Sequence, residues 1–179
     1  MSQFSRDDQV QLSRRAFLTG QRPAAVKTFR PPWAIAESRF LEQCTRCNEC
    51  IRVCPSQLLV AGRGGFPEAD FLPGNAPDGC TFCTECVKAC RPLALLIQPE
   101  QAPWQQLAVI GEDCLAQQGV VCRTCGERCE VGAIRFPPRL GGVSLPQLDG
   151  AACTGCAACL ADCPTHAIHI HFLTQQGVA

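Results

Sequence analysis

The chain has 179 residues, sixteen of them cysteine, with 18% charged residues and a formal net charge of +0. No global basic field points to nucleic acid, and no excess of acid points to disorder. Cysteine at about 9% marks either a disulfide scaffold or a metal protein, in a length that holds one or two small domains.

Residues 1–39 carry seven Lys or Arg against three acids, a net of +4, and no cysteine. Residues 40–179 carry nine bases against thirteen acids, a net of −4. The first segment reads as a basic N-terminal arm. It holds Ser13-Arg14-Arg15-Ala16-Phe17-Leu18, which is similar to a twin-arginine export motif. Such a signal continues into an apolar stretch of about 7–15 residues and a small-residue cleavage site. Here Gly20-Gln21-Arg22-Pro23 follows, so neither cleavage nor export is predicted. The arm is either loosely ordered or a partner-docking element, with Arg14 and Arg15 as its candidate contacts. Leu93–Ile97, a run of five aliphatic residues, is typical of the apolar runs, none of which exceeds six. A membrane-spanning helix needs about 20, so no span is predicted. Without a secretion signal a reducing compartment is expected, where thiols serve metals rather than disulfides.

The body repeats itself. Four quartets follow one another: Cys44, Cys47, Cys50, Cys54; Cys80, Cys83, Cys86, Cys90; Cys114, Cys122, Cys125, Cys129; and Cys153, Cys156, Cys159, Cys163. After each comes a run of strand length: Ser56–Val60, Leu93–Ile97, Gly132–Phe136 and Thr165–Ile170. Gly62-Arg63-Gly64-Gly65 predicts a hairpin between the first and second quartets. Pro137-Pro138 and Gly141-Gly142 predict another between the third and fourth. A looser stretch, Gln98–Gln106, divides the halves, and Trp104–Ile110 reads as a strand or a short helix. The predicted fold is α+β: an arm over residues 1–39 and two tandem two-cluster units over residues 40–105 and 106–179, built of short strands, hairpins and short helices.

Three quartets have the spacing C-x2-C-x2-C-x3-C, and Pro55 and Pro164 follow the last cysteine of two of them. This matches the bacterial ferredoxin run for a [4Fe–4S] cluster. Two-residue gaps curl three thiolates into one bowl. The three-residue gap carries the fourth cysteine about one helical turn on, facing a neighbouring site. In two-cluster ferredoxins that cysteine ligates the other cluster. Crossing here would join Cys90 to the first bowl, Cys54 to the second, Cys163 to the third and Cys129 to the fourth. The set of sixteen iron ligands is read more firmly than this pairing. Structural zinc would use two separated knuckles and leave a cysteine idle, and disulfides would not require one repeated spacing.

The third quartet departs from the pattern, with seven residues, Leu115–Val121, in its first gap. This is either a tolerated loop or a loosened bowl with a labile cluster. Four clusters would add about −8 of charge, leaving the arm basic on an acidic body. Ligation energy would serve as folding energy. No Gly-rich nucleotide loop, P-loop or zinc-protease motif is present, and no nucleophile–base pair is visible, so no enzymatic site is predicted. His166, His169 and His171 read as surface residues.

Taken together, the residues resemble the NapF family of ferredoxin-type proteins from the periplasmic nitrate reductase system. The likeness rests on Ser13-Arg14-Arg15 with Leu18-Thr19-Gly20, on Arg30-Pro31-Pro32-Trp33, on Cys44-Thr45-Arg46-Cys47, and on Gly111-Glu112-Asp113-Cys114-Leu115-Ala116 at the odd quartet. The resemblance implies a cytoplasmic iron–sulfur protein that assists maturation of the nitrate reductase catalytic subunit NapA before export, by loading or reducing its cluster. Another class stays open, a four-cluster electron-relay subunit of a membrane-associated oxidoreductase. So does storage or donation of clusters without electron transfer.

Overall fold

The computed structural model describes residues 28–72, 78–174 and 177–178. Helix α1 (Glu37–Gln43) leads into the first quartet. Its Phe40 is wholly buried, a burial that contributes about 1.5–3 kcal/mol. The helix ends where Cys44 turns to extended backbone. A short helix α2 (Glu49–Arg52) precedes the hairpin of β1 (Leu59–Ala61) and β2 (Pro67–Ala69). Leu59 pairs with Ala69, both facing the core, while Val60 and Glu68 face outward. Gly64 and Gly65 turn the hairpin at φ 69 and 78, values that glycine adopts without steric cost. Helix α3 (Glu85–Ala89) belongs to the second quartet.

The same order then recurs. Strand β3 (Gln106–Ile110) opens the second half, so the ambiguous Trp104–Ile110 stretch is a strand from Gln106 on. Helix α4 (Thr124–Glu127), the short pair β4 (Ile134–Arg135) and β5 (Gln147–Leu148), helix α5 (Ala158–Ala161), β6 (Ile168–Thr174) and β7 (Gly177–Val178) follow. Both predicted hairpins form, and β3 pairs antiparallel with β6 over five positions, from Gln106↔Phe172 to Ile110↔Ile168. Ile168 and Ile170 are buried and His169 between them is exposed, the two-residue period of a half-buried strand.

One predicted strand is missing. The run Leu93–Ile97 makes only an isolated bridge, Ala34↔Leu95. Pro92 and Pro99 bracket it, and Leu93 lies at φ 59, so few residues remain for a ladder. The bridge is flanked by Ile35 N–H donating to Ala94 O at 3.1 Å and Leu96 N–H donating to Trp33 O at 2.9 Å. It stands where the β3–β6 pair stands in the second half.

Two apolar cores result. One gathers Phe40, Leu58, Leu59, Ala94 and Leu95 around Cys50 and Cys86; the other gathers Ala108, Ile134, Leu160, Ile168 and Ile170 around Cys125 and Cys159. Phe29 and Phe71 pack against both. Phe29 stacks on Phe172 with ring centroids 4.3 Å apart, and Phe71 meets Phe29 and Trp104 edge to face at 5.1 and 5.8 Å.

Candidate metal centres

The sixteen cysteines sit in a local geometry that repeats. None is in a disulfide. In the three regular quartets both residues flanking the second cysteine have left-handed backbone: Arg46 and Asn48 (φ 58 and 60), Phe82 and Thr84 (52 and 67), Gly155 and Ala157 (69 and 71). Such alternation makes a nest, a concavity of backbone N–H groups suited to anions and iron–sulfur centres. The third cysteine of each quartet, Cys50, Cys86, Cys125 or Cys159, lies in a four- or five-residue helix and is buried. The fourth follows that helix. Three residues later the chain turns left-handed again at Gln57, Leu93, Gly132 and His166, and each of these donates its N–H to the carbonyl of the fourth cysteine at 2.9–3.1 Å. The next amide reaches the sulfur itself in two cases, Ala133 to Cys129 at 3.2 Å and Ala167 to Cys163 at 3.3 Å.

The fourth cysteines cross. Cys44, Cys47, Cys50 and Cys90 line one small hollow; Cys80, Cys83, Cys86 and Cys54 line a second. Cys114, Cys122, Cys125 and Cys163 line a third of similar size. Cys159 has Cys156, Cys153 and Cys129 among its electrostatic neighbours. The seven-residue gap therefore leaves the third cradle the size of the others. The insertion folds on itself: Gln118 donates to Cys114 O at 3.1 Å, Val120 to Leu115 O at 2.9 Å, and Ala116 is buried. What it lacks is the nest, because Arg123 lies at φ −133. Hydroxyls stand there instead, Thr124 Oγ1 at 3.7 Å from Cys122 Sγ and Thr165 Oγ1 at 3.8 Å from Cys163 Sγ.

Burial pushes the inner thiols up, to about 12 for Cys50, Cys86 and Cys159 and to about 11 for Cys80 and Cys125, with neighbouring thiols adding to it. A ligating metal ionises such thiols outright. The donor set fits a thiophilic centre, and no histidine lines the three hollows. Three crossed sets of thiols surround a hollow rather than a point, and among the described residues no group of three His, Cys, Asp or Glu is placed to hold a single metal ion. That arrangement suits a polynuclear cluster and not a lone zinc. His166 and His169 are exposed. Arg14, Arg15 and the export-like motif lie outside the described residues.

Three contacts carry no sequence signature. Arg30, in the Arg30-Pro31-Pro32-Trp33 segment, packs its guanidinium over the rings of Phe40 and Phe66 at 5.0 and 5.5 Å and pairs with Glu37 at 2.8 Å and Glu68 at 3.5 Å. Gln106, 2% exposed, donates to Gly155 O at 2.9 Å. Gly79 abuts the fourth quartet.

The 4Fe-4S dicluster domain matches residues 43–94, a span that holds the first eight cysteines. Over 164 residues the chain is 42% identical to the ferredoxin-type protein NapF of Escherichia coli (strain K12), covering 92% of this chain and 97% of that one. It is 43% identical over 147 residues to NapF of Haemophilus influenzae, covering 82% and 81%. The methylamine utilization ferredoxin-type protein MauM of Methylobacillus flagellatus is 31% identical over 173 residues, covering 89% and 74%. Among the described residues no helix is long and apolar enough to cross a membrane. The matched domain and the crossed thiol cradles describe a ferredoxin-type protein that carries [4Fe–4S] clusters, and the chain belongs to the NapF family.

Proposed function

We propose that this chain is a cytoplasmic accessory protein of the periplasmic nitrate reductase system. It holds four [4Fe–4S] clusters and assists maturation of the catalytic subunit NapA before export, by loading or reducing that subunit's cluster. The sixteen cysteines are the ligands, crossed so that Cys90, Cys54, Cys163 and Cys129 complete the first to fourth bowls. Residues 40–105 and 106–179 are tandem ferredoxin-like units behind an arm, residues 1–39, whose Arg14 and Arg15 dock the partner.

The observation that carries this reading is the crossed gathering of cysteines from paired quartets around equal hollows. Membership of the NapF family supports the choice of partner. Each bound cluster supplies a one-electron couple. The chain's own part is to exclude water with Phe40, Leu95, Ile168 and their neighbours, and to offer backbone N–H groups to the sulfurs. The ferredoxin-type relatives and the matched dicluster domain favour an accessory electron-transfer protein over an enzyme.

Two measurements test it. Anaerobic iron and sulfide assay is expected to give about sixteen irons per chain, four per quartet; a colourless zinc protein would refute the reading. Affinity capture is expected to recover the unexported NapA precursor. A stoichiometric membrane complex would favour an electron-relay subunit instead, and transfer of clusters to an apo acceptor without electron exchange would favour donation.

A further inference from the structure

The two halves meet through their cysteine loops. Cys80, first of the second quartet, donates its N–H to the carbonyl of Cys156, second of the fourth, at 2.8 Å. Gly79 lies at φ +64, and a Cβ there would stand 2.4 Å from Cys156 O and 2.5 Å from the Ala158 nitrogen. Only glycine suits both the conformation and the approach. Asp78, one residue earlier, pairs with Arg128 at 3.1 Å, and Arg128 also reaches Asp162 at 2.8 Å. On its other side the same loop is held by the buried Gln106 through Gly155 O. Within each half the bowls sit back to back on buried third cysteines, Cys50 with Cys86 in one core and Cys125 with Cys159 in the other.

We propose that Gly79 is a positioning residue for electron exchange between the halves. By admitting backbone contact between the second and fourth cysteine loops, it orders the four bowls into one series: first, second, fourth, third. Chain order alone would place the second beside the third. The inference rests on the four-cluster reading above. Exchange along the series moves one electron from a reduced centre to its oxidised neighbour, with no bond made or broken; a chemical reductant, dithionite, supplies the electron in the test.

The test compares the wild-type holoprotein with Gly79→Ala. Amide hydrogen exchange reads the contact, EPR of the dithionite-reduced protein reads magnetic interaction between centres, and iron assay reads loading. The expected result is about tenfold faster exchange at the Cys80 amide, the worth of one lost hydrogen bond. With it goes a loss of part of the interaction broadening at unchanged iron. Faster exchange with unaltered broadening overturns the proposal, and so does unaltered exchange. If Gly79→Ala loses iron, Arg128→Glu, which sets a like charge against Asp78 and Asp162, is judged by the same two criteria. Iron well below sixteen in the wild type, with the Cys80 amide still slow to exchange, would sink the four-cluster reading and the electron role while the loop contact stands.

Discussion

In the first half both cysteine loops turn through left-handed residues, yet the strands that should close the unit shrink to the bridge Ala34↔Leu95. In the second half the closing strands pair over five residues, yet the third quartet is stretched and lacks its left-handed pair. Each half is regular where the other is not. The first replaces sheet with side chains: Arg30 ties the segment before the bridge to Phe40, Phe66, Glu37 and Glu68. The second has a longer ladder, and an irregular bowl hangs from it without changing size. A cysteine loop tolerates variation when its ends are fixed by non-local pairing.

Removal of iron is expected to have the largest effect, and to act on both halves. Each core is organised around buried cysteines that the thiol–metal bond would fix, so chelation is expected to abolish cooperative thermal unfolding followed by circular dichroism. A chelated chain that still melts cooperatively would show that the apolar cores suffice.

Arg30→Ala separates the halves. The Arg30 side chain is 13% exposed, so its loss removes two ring contacts and leaves Glu68 without this partner. A destabilisation of about 2–3 kcal/mol is expected, confined to the first half in denaturant melts resolved by hydrogen exchange. A uniform effect on both halves would remove the clasp from the account.

Asn48→Val and Arg123→Val compare a regular loop with the stretched one at equivalent positions. Asn48 lies at φ 60, where a β-branched residue costs about 1–2 kcal/mol; Arg123 lies at φ −133, where valine is at ease and a change within about 1 kcal/mol is expected. Equal losses would mean that both loops share one backbone.

The smallest expected effect is at Thr124, whose hydroxyl stands by Cys122 where the third bowl lacks its nest. Thr124→Val should lower the potential of one centre by about 20–60 mV in an EPR redox titration, the worth of one hydrogen bond in a one-electron couple. No shift would make the hydroxyl a bystander.

Much of this was legible in the residues. Spacing by two and three residues acts within one or two turns of backbone, so the quartets, their short helices and both hairpins follow from local geometry. The alternation Ile168, His169, Ile170 announced a half-buried strand in the same way. The loss of the strand expected at Leu93–Ile97 was not legible, because only Ala94 and Leu95 of its apolar run enter the core, and the bridge partner lies some sixty residues away in the chain.

Spacing, proline and glycine act over a few residues, so the four cysteine quartets and the turns between them were set in the residues alone. Long-range packing set the rest: the Arg30 segment clasps the first core, the stretched quartet keeps a cradle of ordinary size, and the second cysteine loop meets the fourth. These depend on backbone carbonyls and ring faces brought together across long separations. The Cys156 carbonyl that receives the Cys80 amide belongs to no motif, and Gly79 reads in the sequence as one more glycine until the neighbouring loop is seen filling the space where its side chain would be.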